Sequence, residues 1–191
     1  MTKVIGINGS ARKDGNTAFL IRRVFAELEH EGIDTELIQL AGNTIRGCAA
    51  CGQCVENKDE RCANDKDIVN DCIAKMIDAD GIILGSPVYF LDVPAEMKAL
   101  IDRAGFVSMA NEGLFTRKVG AAVVVQRRTG ATHAFDTLLH FLLYGGMIVS
   151  GPPVVGFGRE IGEVKNDQEG ILRATNLGKT MAWLLKMRLR D

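Results

Sequence analysis

The sequence predicts an α/β fold: a parallel sheet with helices on both faces. Short apolar runs alternate along the chain with segments of helical periodicity. Two runs, Ile82-Ile83-Leu84 and residues 119–125, have no polar side, as in strands buried on both faces. A Gly/Ser-rich loop at residues 9–17 separates the first apolar run from the first helical segment, where such sheets place a ligand.

Residues 3–8 form a buried first strand. Ala18, Leu20, Ile21, Val24, Phe25 and Leu28 recur at helical spacing, with an end near Gly32. Residues 34–40 give a second strand. Ile38 and Leu40 share one face and Thr35, Leu37 and Gln39 the other, a mixture suited to the sheet edge. A cysteine-rich loop follows at about 47–65. Ile68, Cys72 and Met76 then lie four apart on a second helix, and residues 81–85 enclose a central third strand. Pro94 opens a third helix running to about residue 103, with proline in the first turn where its missing N–H does no harm. Residues 119–125 are the fourth strand. The helix at 131–144 stops at Gly145-Gly146, and 147–150 give a fifth strand before Pro152-Pro153. The last helix starts near residue 167, with Ala174, Leu177, Met181, Leu184 and Leu185 on one face.

With 191 residues, 25% charged and 47% hydrophobic, the chain fits a single domain over 1–191 with a sizeable core. A net charge of -1 offers no global field for nucleic acid or an anionic membrane. No apolar run approaches the roughly 20 residues of a membrane span, and the N-terminal apolar stretch is too short for a signal peptide. The expected address is cytoplasmic. There a cysteine cluster is metal-binding or catalytic rather than disulfide-bonded, and five cysteines cannot all pair internally.

Ser10, Arg12, Asn16 and Thr17 stand just before the first helix. Hydroxyls, an amide and a guanidinium beside a helix N-terminus suit a phosphate, although one of them would suffice as a cap. Neither G-x-G-x-x-G nor the Walker pattern is present, so a mononucleotide is indicated. At Gly85-Ser86-Pro87-Val88-Tyr89-Phe90 the chain leaves a buried strand. Backbone groups there can face a flat heterocycle, and Tyr89 and Phe90 add aromatic surface. Four cysteines, Cys48, Cys51, Cys54 and Cys62, form C-x2-C-x2-C-x7-C, and four thiolates suit zinc or an iron–sulfur cluster. The two short steps match bacterial ferredoxin wrapping better than paired zinc knuckles, although the last gap is longer and no proline follows Cys62. Cys72 reads as a buried small hydrophobe. His133 and His140 lack a third ligand and read as face residues. Asp102 and Arg103 read as a pair at a helix end, outside the site.

Gly9-Ser10-Ala11-Arg12 with Gly15-Asn16-Thr17 resembles the FMN phosphate loop of the NADPH-dependent FMN reductase family. The segment 85–90, with Pro94, Met97-Lys98 and Ile101-Asp102-Arg103, resembles its second hallmark. The resemblance implies a flavodoxin-like three-layer sandwich with a five-stranded parallel sheet in the order 2-1-3-4-5. It implies that FMN is held by Ser10, Ala11, Arg12, Asn16 and Thr17 at the phosphate and by Pro87, Val88, Tyr89 and Phe90 at the ring. Arg127, Thr129 and Gly130 would lie over the pyrimidine side, where Arg127 or Arg128 supports negative charge or receives a pyridine nucleotide phosphate. The cysteine spacing resembles that of the iron–sulfur flavoproteins within this family, which implies a [4Fe–4S] cluster and a homo-oligomer, dimer or tetramer. The electron donor or acceptor is then a small molecule or a protein, with NAD(P)H as a transient co-substrate. Two alternatives use the same fold: an NAD(P)H-dependent FMN or quinone reductase without a cluster, and a thiol-based redox sensor or electron shuttle. No catalytic side chain is required, since the flavin itself performs the chemistry.

Overall fold

In the structure, a computed structural model that describes residues 1–188, the strands form one parallel sheet. β1 (Lys3–Asn8), β2 (Asp34–Gln39), β3 (Gly81–Pro87), β4 (Val119–Gln126) and β5 (Ile148–Val149) lie in the expected order β2-β1-β3-β4-β5. The mixed strand β2 is at the edge. A sixth strand, β6 (Val154–Phe157), was not expected, and it also pairs with β4. Ile148 and Val149 pair with Val119 and Gly120, while 154–157 pair with 123–126. The two short strands therefore share one edge of β4, and residues 150–153 between them oppose only 121–122. Pro152 and Pro153 have no N–H to give a ladder, so the edge strand is interrupted and resumes beyond them.

Alternation along the central strands builds two cores. Ile5, Ile7, Ile82, Leu84, Ala122 and Val124 face α3 (Val69–Asp78), α4 (Ala95–Ala110) and α5 (Ala131–Tyr144). Val4, Ile83, Ala121, Val123 and Val125 face α1 (Asn16–His30) and α6 (Gln168–Arg188). A short α2 (Gln53–Asn57) sits inside the cysteine loop. The α4 helix outruns its expected end because Leu100, Ala104 and Val107 continue its buried face, and packing overrides the weak propensity of Gly105. On the other side of the sheet, α1 lies close because β3 carries glycine there. A Cβ at Gly85 would come within 2.4 Å of Ile21 and 3.1 Å of Thr17. At the C-terminal end, α6 packs along α1. Gly178 is pressed so closely to it that a Cβ would stand 2.7 Å from the Val24 carbonyl oxygen. No helix among the described residues is long and apolar enough to cross a membrane.

Among the described residues, the Ser150 hydroxyl is the one buried side-chain polar atom without a hydrogen-bond partner. Burying an unpaired hydroxyl costs free energy. Ser150→Ala is therefore expected to raise stability by up to about 1 kcal/mol, read as a higher urea midpoint at unchanged slope. A fall of the midpoint would show that the hydroxyl is satisfied.

Candidate functional site

The strand order reverses between β1 and β3, and the loops beyond their carboxyl ends converge there. Ser10, Arg12, Asn16, Thr17, Pro87, Val88, Tyr89, Val125, Arg127, Gly158 and Arg159 line a cavity of about 170 Å3. The loop after β1 is held in shape by buried polar groups. Asn8 donates to the Gln39 side chain (2.7 Å) and accepts from the Ser10 amide (3.1 Å). Gln39 in turn donates to the Ser10 carbonyl (2.7 Å). The Ser10 hydroxyl accepts from the Arg12 amide at 3.1 Å. The α1 helix starts with no side-chain cap, so its first-turn amides remain donors for a ligand. A phosphate group matches a cavity of this size, hydroxyl lining and arginine charge. The rest of a mononucleotide exceeds it, because pockets for whole ligands run to about 300–1,000 Å3. The ring would therefore extend along the Pro87–Tyr89 turn.

Of the residues expected at the cofactor, Ser10, Arg12, Asn16, Thr17, Pro87, Val88, Tyr89 and Arg127 share this cavity; Ala11, Phe90, Thr129 and Gly130 do not line it. Asn16 turns its amide toward the protein. Its Nδ2 donates to the Glu160 carbonyl (2.9 Å), and its Oδ1 accepts from the Gly162 amide (2.8 Å). Arg12 likewise donates to the Arg159 carbonyl at 2.7 Å. Both fasten the loop after β6 over this cavity. Gly158 and Arg159, which this loop contributes, were not among the expected site residues. Phe90 is fully exposed. With Leu91 it forms the tip of a two-residue turn closed by the Tyr89 amide on the Asp92 carbonyl (2.8 Å), and both tip residues have positive φ, 45° and 74°. Bulky residues adopt that conformation at a cost. Gly130, at φ 95°, lets its loop meet this turn: a Cβ there would lie 2.9 Å from the Leu91 Cα.

A second cavity, about 720 Å3, is lined by all four clustered cysteines together with Arg46, Asp67, Arg103 and Phe106. Cys48 and Cys51 are exposed, and Cys54 and Cys62 are half-buried. Left-handed Ala50 and Gly52 bend the backbone between the clustered cysteines, and α2 carries Cys54. Burial pushes the Cys54 thiol up, a backbone bond opposes this, and charge on Cys51, Cys62 and Cys48 pushes it further up. Four thiolates this close repel one another without a cation. Among the described residues no three His, Cys, Asp or Glu side chains are grouped to hold a metal ion. An iron–sulfur cluster is larger than an ion, so its thiolates ring a cavity instead of meeting at a point. The donor set fits such a group: four soft ligands, small residues between them and one shared cavity.

Arg103 belongs to this cavity and is not paired with Asp102, which is bonded to Lys98. The Arg103 side chain is 0% exposed and Asp67, its partner at 2.5 Å, is 2% exposed. Arg103 Nε donates to Cys62 Sγ at 3.2 Å, Nη1 to the Arg46 carbonyl at 3.2 Å and Nη2 to the Asn64 carbonyl at 2.6 Å. Burial pushes the Asp67 carboxyl up, but Arg103 and the amides of Val69 and Arg46 outweigh it and hold it below its usual range. Asn70 adds a second anchor, accepting from the Cys62 amide and donating to its carbonyl, each at 2.8 Å.

The histidines stand apart from both cavities: His133 is 3.4 Å from Asp92, and His140 lines a groove between α4 and α5. Cys72 is 1% exposed, and burial pushes its thiol up to about 12. In iron-free protein at pH 8, iodoacetamide should label Cys48 and Cys51 readily and leave Cys72 unlabelled, as read by peptide mass spectrometry. Equal labelling of Cys72 would mean that its helix opens readily.

The profile of the NADPH-dependent FMN reductase family matches residues 2–161. An iron-sulfur flavoprotein of Methanocaldococcus jannaschii is 40% identical over 194 residues, covering 97% of this chain and 98% of that protein. One from Methanosarcina thermophila is 34% identical over 151 residues, covering 78% of this chain and 77% of that protein. Among solved structures, RosB with a bound 8-demethyl-8-formylriboflavin-5'-phosphate has a TM-score of 0.77 at 17% identity, covering 100% of this chain and 81% of that one. A flavodoxin from the domain Archaea has a TM-score of 0.61 at 15% identity, covering 97% and 99%. At these identities the structural likeness establishes a flavodoxin-like fold.

Proposed function

We propose that this chain, which belongs to the NADPH-dependent FMN reductase family, is an FMN oxidoreductase of the iron–sulfur flavoprotein type. It passes electrons between a reduced donor and an acceptor, using FMN at the β1–β3 crevice and a [4Fe–4S] cluster on Cys48, Cys51, Cys54 and Cys62. Flavin-dependent oxidoreduction is the family's chemistry. The observation that carries the finer reading is that all four cysteines of the C-x2-C-x2-C-x7-C run open onto one cavity. The relatives named iron-sulfur flavoproteins support it.

Bound FMN supplies hydride and one-electron chemistry. The chain's part is to hold and orient it. The first-turn amides of α1 and the hydroxyls of Ser10 and Thr17 would take the phosphate, with Arg12, Arg127 and Arg159 balancing its charge. The backbone of Pro87–Tyr89 and the loop at 127–130 would flank the ring. NAD(P)H is a transient co-substrate in this reading, and the working form is a homo-oligomer.

Anaerobic purification with an absorbance spectrum, iron and sulfide analysis and size-exclusion chromatography tests the reading. Flavin bands with about four irons per chain are expected, at an oligomer's mass. Flavin without iron, with rapid NAD(P)H oxidation, would establish the plain reductase instead.

A further inference from the structure

A fully buried arginine bonded to a cysteine sulfur is not explained by holding FMN, nor by the cysteine spacing. Arg103 comes from α4, in the middle of the layer covering the sheet, and reaches into the cysteine cavity from beneath. Its contacts are distributed. One is a sulfur, Cys62 Sγ; two are backbone carbonyls of the loop, at Arg46 before the first cysteine and Asn64 after the last; and one is the Asp67 carboxylate. The guanidinium fork thus joins both ends of the cysteine segment to the rigid helix layer. A lysine ammonium could not span these four acceptors, because its donors radiate from one atom.

We infer that Arg103 is a positioning residue for the cysteine site. It fixes Cys62 Sγ and the two ends of the loop, and the Arg103–Asp67 pair sets the electrostatic field felt by an electron arriving there. The first half rests on the bonds alone; the second rests on the cluster reading above. Hydrogen bonds to ligating sulfurs and nearby net charge tune cluster potentials. A reduced cluster carries one more negative charge, so the N–H···S bond and the guanidinium charge favour reduction. Asp67 bonds Nη1 while Cys62 Sγ bonds Nε, and the negative charge of Asp67 opposes that of the guanidinium. The two members of the pair therefore have opposite signs of influence, although both are needed for the fold of the loop.

This opposition separates a tuning role from a merely structural one. Asp67→Asn leaves the Arg103 charge unopposed and should raise the midpoint potential of the reconstituted cluster. Asp67→Asn/Arg103→Met removes both charges and the bond to sulfur, leaves no unpaired buried charge, and should lower it below that of the natural protein. Midpoints that move together, or not at all, would overturn the tuning half. Hydrogen exchange on iron-free full-length protein tests the positioning half without any cluster. Amides of residues 44–67 should exchange at least about tenfold faster in the double variant, with the sheet amides of β1 and β3 unchanged. Unchanged loop exchange would overturn the positioning role. If the natural protein takes up no iron, the cluster reading and the tuning half fail together, and the exchange measurement still decides the positioning role.

Discussion

Arg103→Met is expected to lower stability by roughly 3–5 kcal/mol, because it strands the Asp67 carboxylate in a buried site with its cation removed. Most of that cost comes from the orphaned charge, not from the lost attraction. Adding Asp67→Asn should therefore recover a large part of it, since a neutral amide is cheaper to bury than a lone carboxylate. Urea unfolding of the two single variants and the double variant closes a thermodynamic cycle that isolates the coupling. A single-variant loss below about 1 kcal/mol would show that water reaches the pair and that the loop is not sealed over it.

The second large effect concerns FMN. Ser10→Ala/Thr17→Val is expected to weaken FMN binding by about 100- to 10,000-fold, since each hydroxyl bonded to a charged phosphate contributes about 1.5–3 kcal/mol. Flavin fluorescence titration of apoprotein measures it. The cavity that the four cysteines line shares no residue with the one at the β1–β3 crevice, so Cys48→Ser/Cys51→Ser should keep FMN affinity within about threefold while abolishing iron retention. If the hydroxyl variant binds FMN normally, the cavity at the β1–β3 crevice is not its phosphate site.

Much of the fold could be read from the sequence because its signals are local. Ile82-Ile83-Leu84 is apolar on both sides, and a central strand is the economical way to bury it. Pro94 and Gly145-Gly146 mark helix ends by backbone chemistry alone. The β6 strand was missed because Pro152-Pro153 reads as the end of strand structure; the run Val154-Val155-Gly156-Phe157 behind it, rich in β-branched and aromatic residues, was the available signal. With β6 went Gly158 and Arg159. Arg103 could not be found that way. Nothing beside it in the chain marks it as buried, and its partner Asp67 lies 36 positions upstream. Burial of a charge is settled by tertiary neighbours. The phosphate loop lay in between. Its residues were legible as a set, but the division of labour was not: Asn16 and Arg12 turn toward the loop after β6, a partner invisible until that strand is placed.

The packing of α6 along α1 has a consequence for how the molecule comes into being. Ala174, Leu177, Met181 and Leu185 complete the core whose other members, Leu20, Ile21, Val24 and Leu28, are made near the beginning of the chain. A ribosome that has released every residue through Arg159 has therefore delivered the lining of both cavities, with one face of the sheet covered by α1 but not yet by α6. Until α6 emerges, the nascent chain presents to its surroundings the apolar surface that this helix buries.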